Sequence, residues 1–379
     1  MKKGICFILV LVIILLPGCS LNEDAPDSDA VKESDNISDN INDNINGNTN
    51  GNSEDVTANS KNDSDVKGVT AEKSNEVAES SAEAVKISIA ITIYYQDKDR
   101  YLVPVTRRVP KHEGLARTAV TGLIDSAANR EELSYYGLYP VLPKGTEILG
   151  INIKDRIAII DFNNKVLDYA DSDEESNIVA SVVYTLTEFK TIDGVRILFN
   201  GYTKEKLKFG TNVSGVLTRK NILINNENRV NLDQGNNKVD VYYFKRANDN
   251  YIYLVPVSVI CPEVHDSELP GVIIEYLCTN NKEALTSDLP EGTRIIESSL
   301  KGNLLTLNFN KALTNYGGNA REDGLLKQIL YSMKQIEGAE RIRILVEGES
   351  VELPEGTDIS RDIAIPSGIN DVIDKSYAN

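Results

Sequence analysis

Tryptophan is absent from this 379-residue chain and the aromatics together make only 6%, a composition that argues against a groove stacking sugar rings on aromatic faces. Histidine occurs twice, as His112 and His265, and no CxxC pair exists, so a structural zinc site lacks ligands. The chain also has no G-x-x-x-x-G-K-S/T, no G-x-G-x-x-G and no H-E-x-x-H, which leaves nothing built to hold phosphate, dinucleotide or metal, and no cofactor is expected. Positive charge is in deficit: 40 Lys and Arg against 57 Asp and Glu give a net charge of −17. A nucleic-acid backbone would be repelled, which excludes that class of partner. Long hydrophobic runs are missing except for Ile5 to Leu16, and a spanning helix needs about 20 apolar residues.

What the chain does have begins at that run. Lys2 and Lys3 precede it and Leu16-Pro17-Gly18-Cys19 follows, the layout of an export signal over residues 1–18. The tetrapeptide resembles the lipobox of bacterial lipoproteins, which implies lipidation of Cys19 and a mature chain starting there. The plainer alternative is an ordinary cleaved signal. Pro17 departs from the usual residue type. Residues 20–84 then carry sixteen Asp or Glu against four Lys, among Asn and Ser. Such a segment cannot bury enough apolar surface to offset the entropy of ordering and reads as a disordered acidic tether over 19–84. Its root-mean-square span is roughly 45 Å by the scaling of flexible chains.

The remainder is written twice. YLVPV occurs at 101–105 and 253–257, LPKGTEI at 142–148 answers LPEGTRI at 289–295, and DFNNKVLDY at 161–169 answers NFNKALTNY at 308–316. Finally, VYTLTEFKTIDGVRILFNG at 183–201 lies against LYSMKQIEGAERIRILVEG at 330–348. Two domains follow, over 85–224 and 236–368, with a tail over 369–379.

In the first domain, alternation from Ile87 to Ile93 predicts a strand, a polar turn over Gln96 to Arg100 leads into the YLVPV strand, and a helical face runs from Leu115 to Ala127. Ile148–Ile153 and Ile157–Phe162 predict a hairpin turned by Lys154 and Asp155. A second helix starts at Ser172, where SDEE reads as a capping box, and Asp193-Gly194 stops it before a last strand, Val195 to Phe199. Its inward positions, Ile178, Val179, Val182, Val183, Leu186 and Phe189, map in the second copy onto Leu325, Leu326, Ile329, Leu330, Met333 and Ile336, all apolar. The expected fold is α+β: two tandem two-layer sandwiches, each strand-strand-helix-strand-strand-helix-strand with its helices on one face of a small mixed sheet.

Candidates for chemistry are few. Asp161, with Asp168 and Asp171 downstream, could supply a general acid and base. The second copy has Asn308 and Asn315 opposite the first two, so a solvated cluster at a strand end is the favoured reading and no catalytic residue is assigned. The acidic run Asp168, Asp171, Asp173, Glu174, Glu175 lacks the spacing of a calcium loop and serves better as a helix N-terminus. His112 and His265 fall in loops without partners for a triad. Cys6 leaves with the signal. Cys261 and Cys278 replace aliphatic residues at core-facing positions, which suits buried thiols, and a disulfide in an exported protein stays open. Pro104 and Pro256 lack an N–H, so the strands carrying Tyr101, Pro104, Tyr253 and Pro256 should lie on a sheet edge or at a bulge. These four residues are the candidate contact points, and the two units should not merge into one sheet through them.

These residues resemble the GerM, or sporulation and spore germination, domain family, in tandem behind a lipobox. YLVPV after Tyr-Tyr, LPKGTEI and LPEGTRI, the strand ending Asp161-Phe162, and LTEFKTIDGVRILFNG at 186–201 carry the resemblance over roughly residues 87–365. In the second copy LTEF gives way to Met333-Lys334-Gln335-Ile336. The resemblance implies a ring-building type of fold and a non-enzymatic role in assembling sporulation machinery, with no catalytic residues to carry over. The expected protein is a lipid-anchored extracytoplasmic scaffold whose partners are the membrane and other extracytoplasmic sporulation proteins, and which can form a homo- or hetero-oligomer. A binding module for a cell-wall fragment or germinant is the first alternative, a wall hydrolase the second.

Overall fold

In the first repeat, β1 (Ser88–Asp97) and β2 (Leu102–Pro110) form an antiparallel hairpin with Tyr94 opposite Pro104. Its turn is held by Asp97, whose Oδ1 accepts the amides of Asp99 and Tyr101, both at 2.9 Å. Helices α1 (Leu115–Gly122) and α2 (Ala127–Ser134) follow, then a short β3 (Leu138–Tyr139) on the other side of β1. Strands β4 (Ile148–Lys154) and β5 (Ile157–Phe162) make the second hairpin. Helix α3 (Ser172–Leu186) then crosses over to β6 (Gly194–Phe199), parallel to β5.

The second repeat repeats this order: β7 (Asn236–Arg246), β8 (Ile252–Pro262), α4 (Leu269–Thr279), β9 (Leu285–Thr286), β10 (Ile295–Lys301), β11 (Leu304–Phe309), α5 (Asn319–Met333) and β12 (Arg341–Val346). A two-residue β13 (Ile363–Ala364) is added on β12. This computed structural model describes residues 88–226, 236–279 and 283–373. The proposed signal, Cys19 and the tether lie outside the described residues, as does Ile87. Among the described residues no helix is long and apolar enough to cross a membrane.

The chain therefore forms two tandem α+β domains. The expected mixed sheet is divided into two in each repeat, β2-β1-β3 and β4-β5-β6, then β8-β7-β9 and β10-β11-β12-β13. The free edge of β1 is satisfied by a helix instead of a strand: the amide of Tyr94 donates to Thr185 Oγ1 of α3 at 3.0 Å, and in the second repeat Tyr242 donates to Ser332 Oγ of α5 at 3.0 Å. Every backbone donor taken into a core needs such a partner.

The mapped helix faces do the packing. Ile178, Val179, Val182, Val183 and Leu186 are buried and Phe189 half-buried; Leu325, Ile329, Leu330, Met333 and Ile336 are buried and Leu326 half-buried. Each such side chain stabilises by roughly 1.5–3 kcal/mol. The two repeats share one continuous core, with Tyr94, Tyr95, Tyr184, Tyr253, Phe162 and Phe309 among its largest fully buried side chains.

Four local expectations are corrected. The first helix stops at Gly122, because Ile124 leaves it to bridge Leu142 and Ser126 then caps α2 by accepting the amide of Asn129 at 3.1 Å. The cap of α3 is Asp171, not Ser172. Its Oδ1 accepts the amides of Asp173 and Glu174, and Glu174 in turn accepts the amide of Ala170, the residue before the cap, so the helix is capped one residue earlier than expected and the capping box does not form. The β4–β5 turn is Asp155-Arg156, both at positive φ (50° and 61°), the geometry that suits strand twist in a two-residue hairpin. In addition, α3 ends at Leu186, well before Asp193-Gly194.

Candidate functional site at the joint of the repeats

The backbone groups of alternate residues on β2 point away from β1, and those of Leu102, Pro104 and Thr106 face outward. On β8 the same is true of Leu254, Pro256 and Ser258. Between these two edges lie two asparagines. Asn225 Oδ1 accepts the amide of Leu102 at 2.7 Å, and its Nδ2 donates to the carbonyls of Leu102 and Pro256 at 2.9 and 2.8 Å. Asn370 does the same with the repeats exchanged, accepting the amide of Leu254 at 3.0 Å and donating to the carbonyls of Leu254 and Pro104, both at 2.8 Å.

Both asparagines have positive φ, 52° and 50°, a conformation asparagine tolerates better than other side-chain-bearing residues. The isoleucine before each is built into the other repeat. Ser258 donates its amide to Ile224, whose own amide donates to Ser258 Oγ; Thr106 and Ile369 repeat the pattern. The joint thus has twofold pseudosymmetry, with each repeat's terminal segment bound to the other's second strand. Ile369 and Asn370, the first residues of the expected tail, belong to it.

Beside the asparagines lies a partly buried polar network. Glu188, just past α3, accepts from Tyr94 Oη (2.8 Å), Arg219 Nη2 (2.6 Å) and Lys334 Nζ (3.0 Å), the last from the second repeat. Burial pushes its carboxyl up, but Arg219 and Lys334 outweigh burial and bring it down to about 2. Asp240 on β7 accepts from Tyr184 Oη and Ser258 Oγ, both at 2.7 Å, and from Lys238 Nζ at 2.9 Å. Arg219 lies 4.7 Å over the Tyr184 ring.

At the hairpin turns, Lys245 of β7 pairs with Asp97 at 3.2 Å and Asp99 at 2.6 Å. Tyr251 and Tyr253 meet Tyr135 and Tyr136 of the first repeat, and Tyr253 Oη donates to the Tyr136 carbonyl at 2.8 Å. Tyr101 is buried, its ring 5.1 Å from Lys245 Nζ. A cleft of about 980 Å³ opens next to this network, lined by Glu188, Arg219, Asn237, Ser299, Lys334 and Gln335 among others. Glu188, Arg219 and Lys334 of its lining are paired with one another.

The other sequence candidates are dispersed. Asp161 Oδ1 accepts the amide of Gly201 at 2.9 Å, and Asn308 accepts that of Gly348 at 2.7 Å. A turn needing only a neutral acceptor explains why aspartate and asparagine interchange there. Asp168 pairs loosely with Lys165, and Asp171 with Arg100. His112 bonds only locally, to Glu113 and Thr118, and His265 to Ser267 and Glu268, both histidines being exposed. Among the described residues no cluster of three His, Cys, Asp or Glu could hold a metal. Cys261 is buried and Cys278 half-buried, both as free thiols, and burial pushes the Cys278 thiol up to about 11.

Sequence reading placed Glu175 in an acidic run, but it is fully buried. It accepts the amides of Phe209 and Thr211 at 2.7 and 2.9 Å, as Glu322 accepts those of Glu355 and Thr357 at 2.8 and 3.0 Å. Asn225 and Asn370 were also missed. Both stand in an Ile-Asn dipeptide, 224–225 and 369–370, but the same dipeptide occurs at 41–42, 45–46 and 151–152 and so did not mark them out.

One exposed feature is duplicated. Both edge strands β4 and β10 carry a bulge, and four aliphatic side chains on them, Leu149, Ile153, Ile296 and Leu300, are 41–50% exposed at matching positions. Recurrence in both repeats separates them from singly scattered surface hydrophobics.

A family model described as sporulation and spore germination, Germane, matches residues 92–205 and 240–352. The chain is 27% identical over 367 residues to the spore germination protein GerM of Bacillus subtilis (strain 168), covering 94% of each. It is also similar to the solved structure of the tandem GerMN domains of that organism's sporulation protein GerM, with 28% identity and a TM-score of 0.66, covering 74% of this chain and 99% of that one.

Proposed function

The chain belongs to the Germane family of sporulation and spore germination proteins, and from that premise we propose that it acts in sporulation and germination as a lipid-anchored, extracytoplasmic assembly protein without enzymatic activity. The observation that carries the assembly role is the pair of aliphatic residues exposed on an edge strand of each repeat, Leu149 with Ile153 and Ile296 with Leu300. A body whose two halves share one core offers both edges at a fixed separation, which suits a component that must be gripped at two points by other extracytoplasmic proteins. Cys19 supplies the anchor and residues 20–84 the reach.

Replacing Leu149 and Ile296 by Asp tests this reading in sporulating cells. A sporulation or germination defect, with unchanged protein level and melting temperature, is the expected result; full function would sink the contact surface. Release of muropeptides from purified peptidoglycan by the purified chain would overturn the non-enzymatic part. For the anchor, Cys19→Ala should move the protein out of the membrane fraction, and complete retention would refute lipidation.

The cleft beside Glu188 favours a second reading, a binding module for a cell-wall fragment or small germinant, since its size suits a small ligand. A dose-dependent rise in melting temperature with a wall fragment would establish it.

A further inference from the structure

Asp97 and Lys245 are the same position in the two repeats. Tyr94-Tyr95 of β1 aligns with Tyr242-Tyr243 of β7, Tyr94 faces Pro104 as Tyr242 faces Pro256, and Asp97 pairs with Leu138 of β3 as Lys245 pairs with Leu285 of β9. About a twofold axis, a residue on the axis meets its own counterpart. Lys245 Nζ meets Asp97 Oδ2 at 3.2 Å, with side-chain exposures of 4% and 0%. Tyr94 and Tyr242, a second counterpart pair, lie close enough to influence each other.

We propose that the 97/245 position is a pairing code, which makes the joint face of a first repeat fit a second repeat and reject another first repeat. In a joint of two first repeats Asp97 would face Asp97, and in a joint of two second repeats Lys245 would face Lys245. Either brings like charges together out of water, where repulsion is least screened. Asp97 is already divided between two tasks: Oδ1 holds the amides of Asp99 and Tyr101, and Oδ2 has no hydrogen-bond partner apart from the ion pair. The lysine is thus the matching charge for that oxygen, as it is for the half-exposed Asp99 at 2.6 Å. The contacts of Asn225 with Asn370 and of Ile224 with Ile369 are alike in both repeats and cannot tell one from the other, whereas the Glu188–Lys334 pair, whose counterpart positions hold Gln335 and Thr187, is a second unlike contact beside the 97/245 position. Discrimination against wrong partners requires such a repulsive element as well as attractive ones.

Urea unfolding of the full chain tests the code, because Lys245→Asp recreates on the axis the charge pair of two first repeats. The unfolding midpoint should fall further for Lys245→Asp than for Lys245→Met, which removes the charge without repulsion. Asp97→Asn, which keeps the turn acceptor, should then restore at least half of the loss in Lys245→Asp while lowering the midpoint of the wild type. Equal midpoints for Lys245→Asp and Lys245→Met, or no rescue, overturn the proposal. Should Lys245→Asp fail to fold, the cycle of Asp97→Asn, Lys245→Met and their combination decides. Additive losses refute the code, and a combined loss smaller than the sum supports it.

Discussion

Asn225 donates its side-chain amide to the carbonyl of Pro256, 2.8 Å away, and so ties the end of the first repeat to the second strand of the other. The same side chain satisfies both backbone groups of Leu102. Asn225→Ala leaves three polar groups in the joint to find other partners and should cost about 2 kcal/mol, with Asn370→Ala similar by pseudosymmetry. Asn225→Gly keeps the positive φ but not the bonds, so it should destabilise nearly as much. Denaturant unfolding checks this; a change under about 0.5 kcal/mol for Asn225→Ala would remove the asparagines from the account.

Acid should loosen the joint. Glu188 has its folded value depressed to about 2 from an ordinary 4.5, so its stabilisation is fully present above about pH 4.5 and is lost as the pH falls toward 2. The ceiling is about 3 kcal/mol at one pKa unit per 1.36 kcal/mol. Glu188→Gln should be less stable than wild type at pH 7 and show a flatter stability profile between pH 4.5 and 2. Parallel profiles for the two proteins would show that Glu188 is not the group responsible.

Glu175 and Glu322 each hold two amides of a loop, the one after β6 and the one after β12 respectively. Burial raises each carboxyl, yet the hydrogen bonds from those amides leave both below the usual value. Replacing either by Ala should cost about 3 kcal/mol, because bonds to a charged group are worth more than neutral ones. Enhanced proteolysis confined to residues 205–213 in Glu175→Ala and to 352–358 in Glu322→Ala is the accompanying sign. Uniform cleavage across the chain would point instead to general unfolding.

Gly194 opens β6 where a Cβ would stand 2.5 Å from Val216 Cγ1 and 3.3 Å from the Leu217 carbonyl oxygen. Val216 is branched at Cβ and cannot swing away freely. Gly194→Ala should therefore destabilise by roughly 1–3 kcal/mol, although alanine generally restricts the unfolded chain favourably. A rise in melting temperature would contradict this packing.

Most of each repeat was legible because the duplication repeats its own evidence. Five apolar positions of α3, with a sixth just past its end, reappear on and just past α5, and a face present twice at one offset is hard to mistake. The same comparison removed Asp161 as a catalytic candidate, since Asn308 fills its place. The joint was not legible, for two reasons. Asn225 and Asn370 act through backbone groups of distant strands, and periodicity carries no record of such contacts. Lys245 opposite Asp97 reads as an ordinary substitution between copies until the pseudosymmetry brings the two face to face. The break after α1 was missed because Leu123 and Ile124 continue the apolar rhythm, while the backbone around Ile124 leaves the helix to form a β-bridge with Leu142.

The arrangement of chain ends has a mechanical meaning. Strand β1 starts with Ser88 opposite Pro110 at one end of β2, and the segment after the second repeat passes Ile369 and Asn370, bound to Thr106 and Pro104 of the same strand. Entry and exit are thus stitched to one strand, and the two repeats form a closed loop. Tension applied through the N-terminal segment peels β1 from β2 starting at Ser88, one pair of residues at a time, while the hydrogen bonds of the joint lie further along the load path. A force-clamp measurement pulling from the N-terminus should yield in the first hairpin before the repeats part.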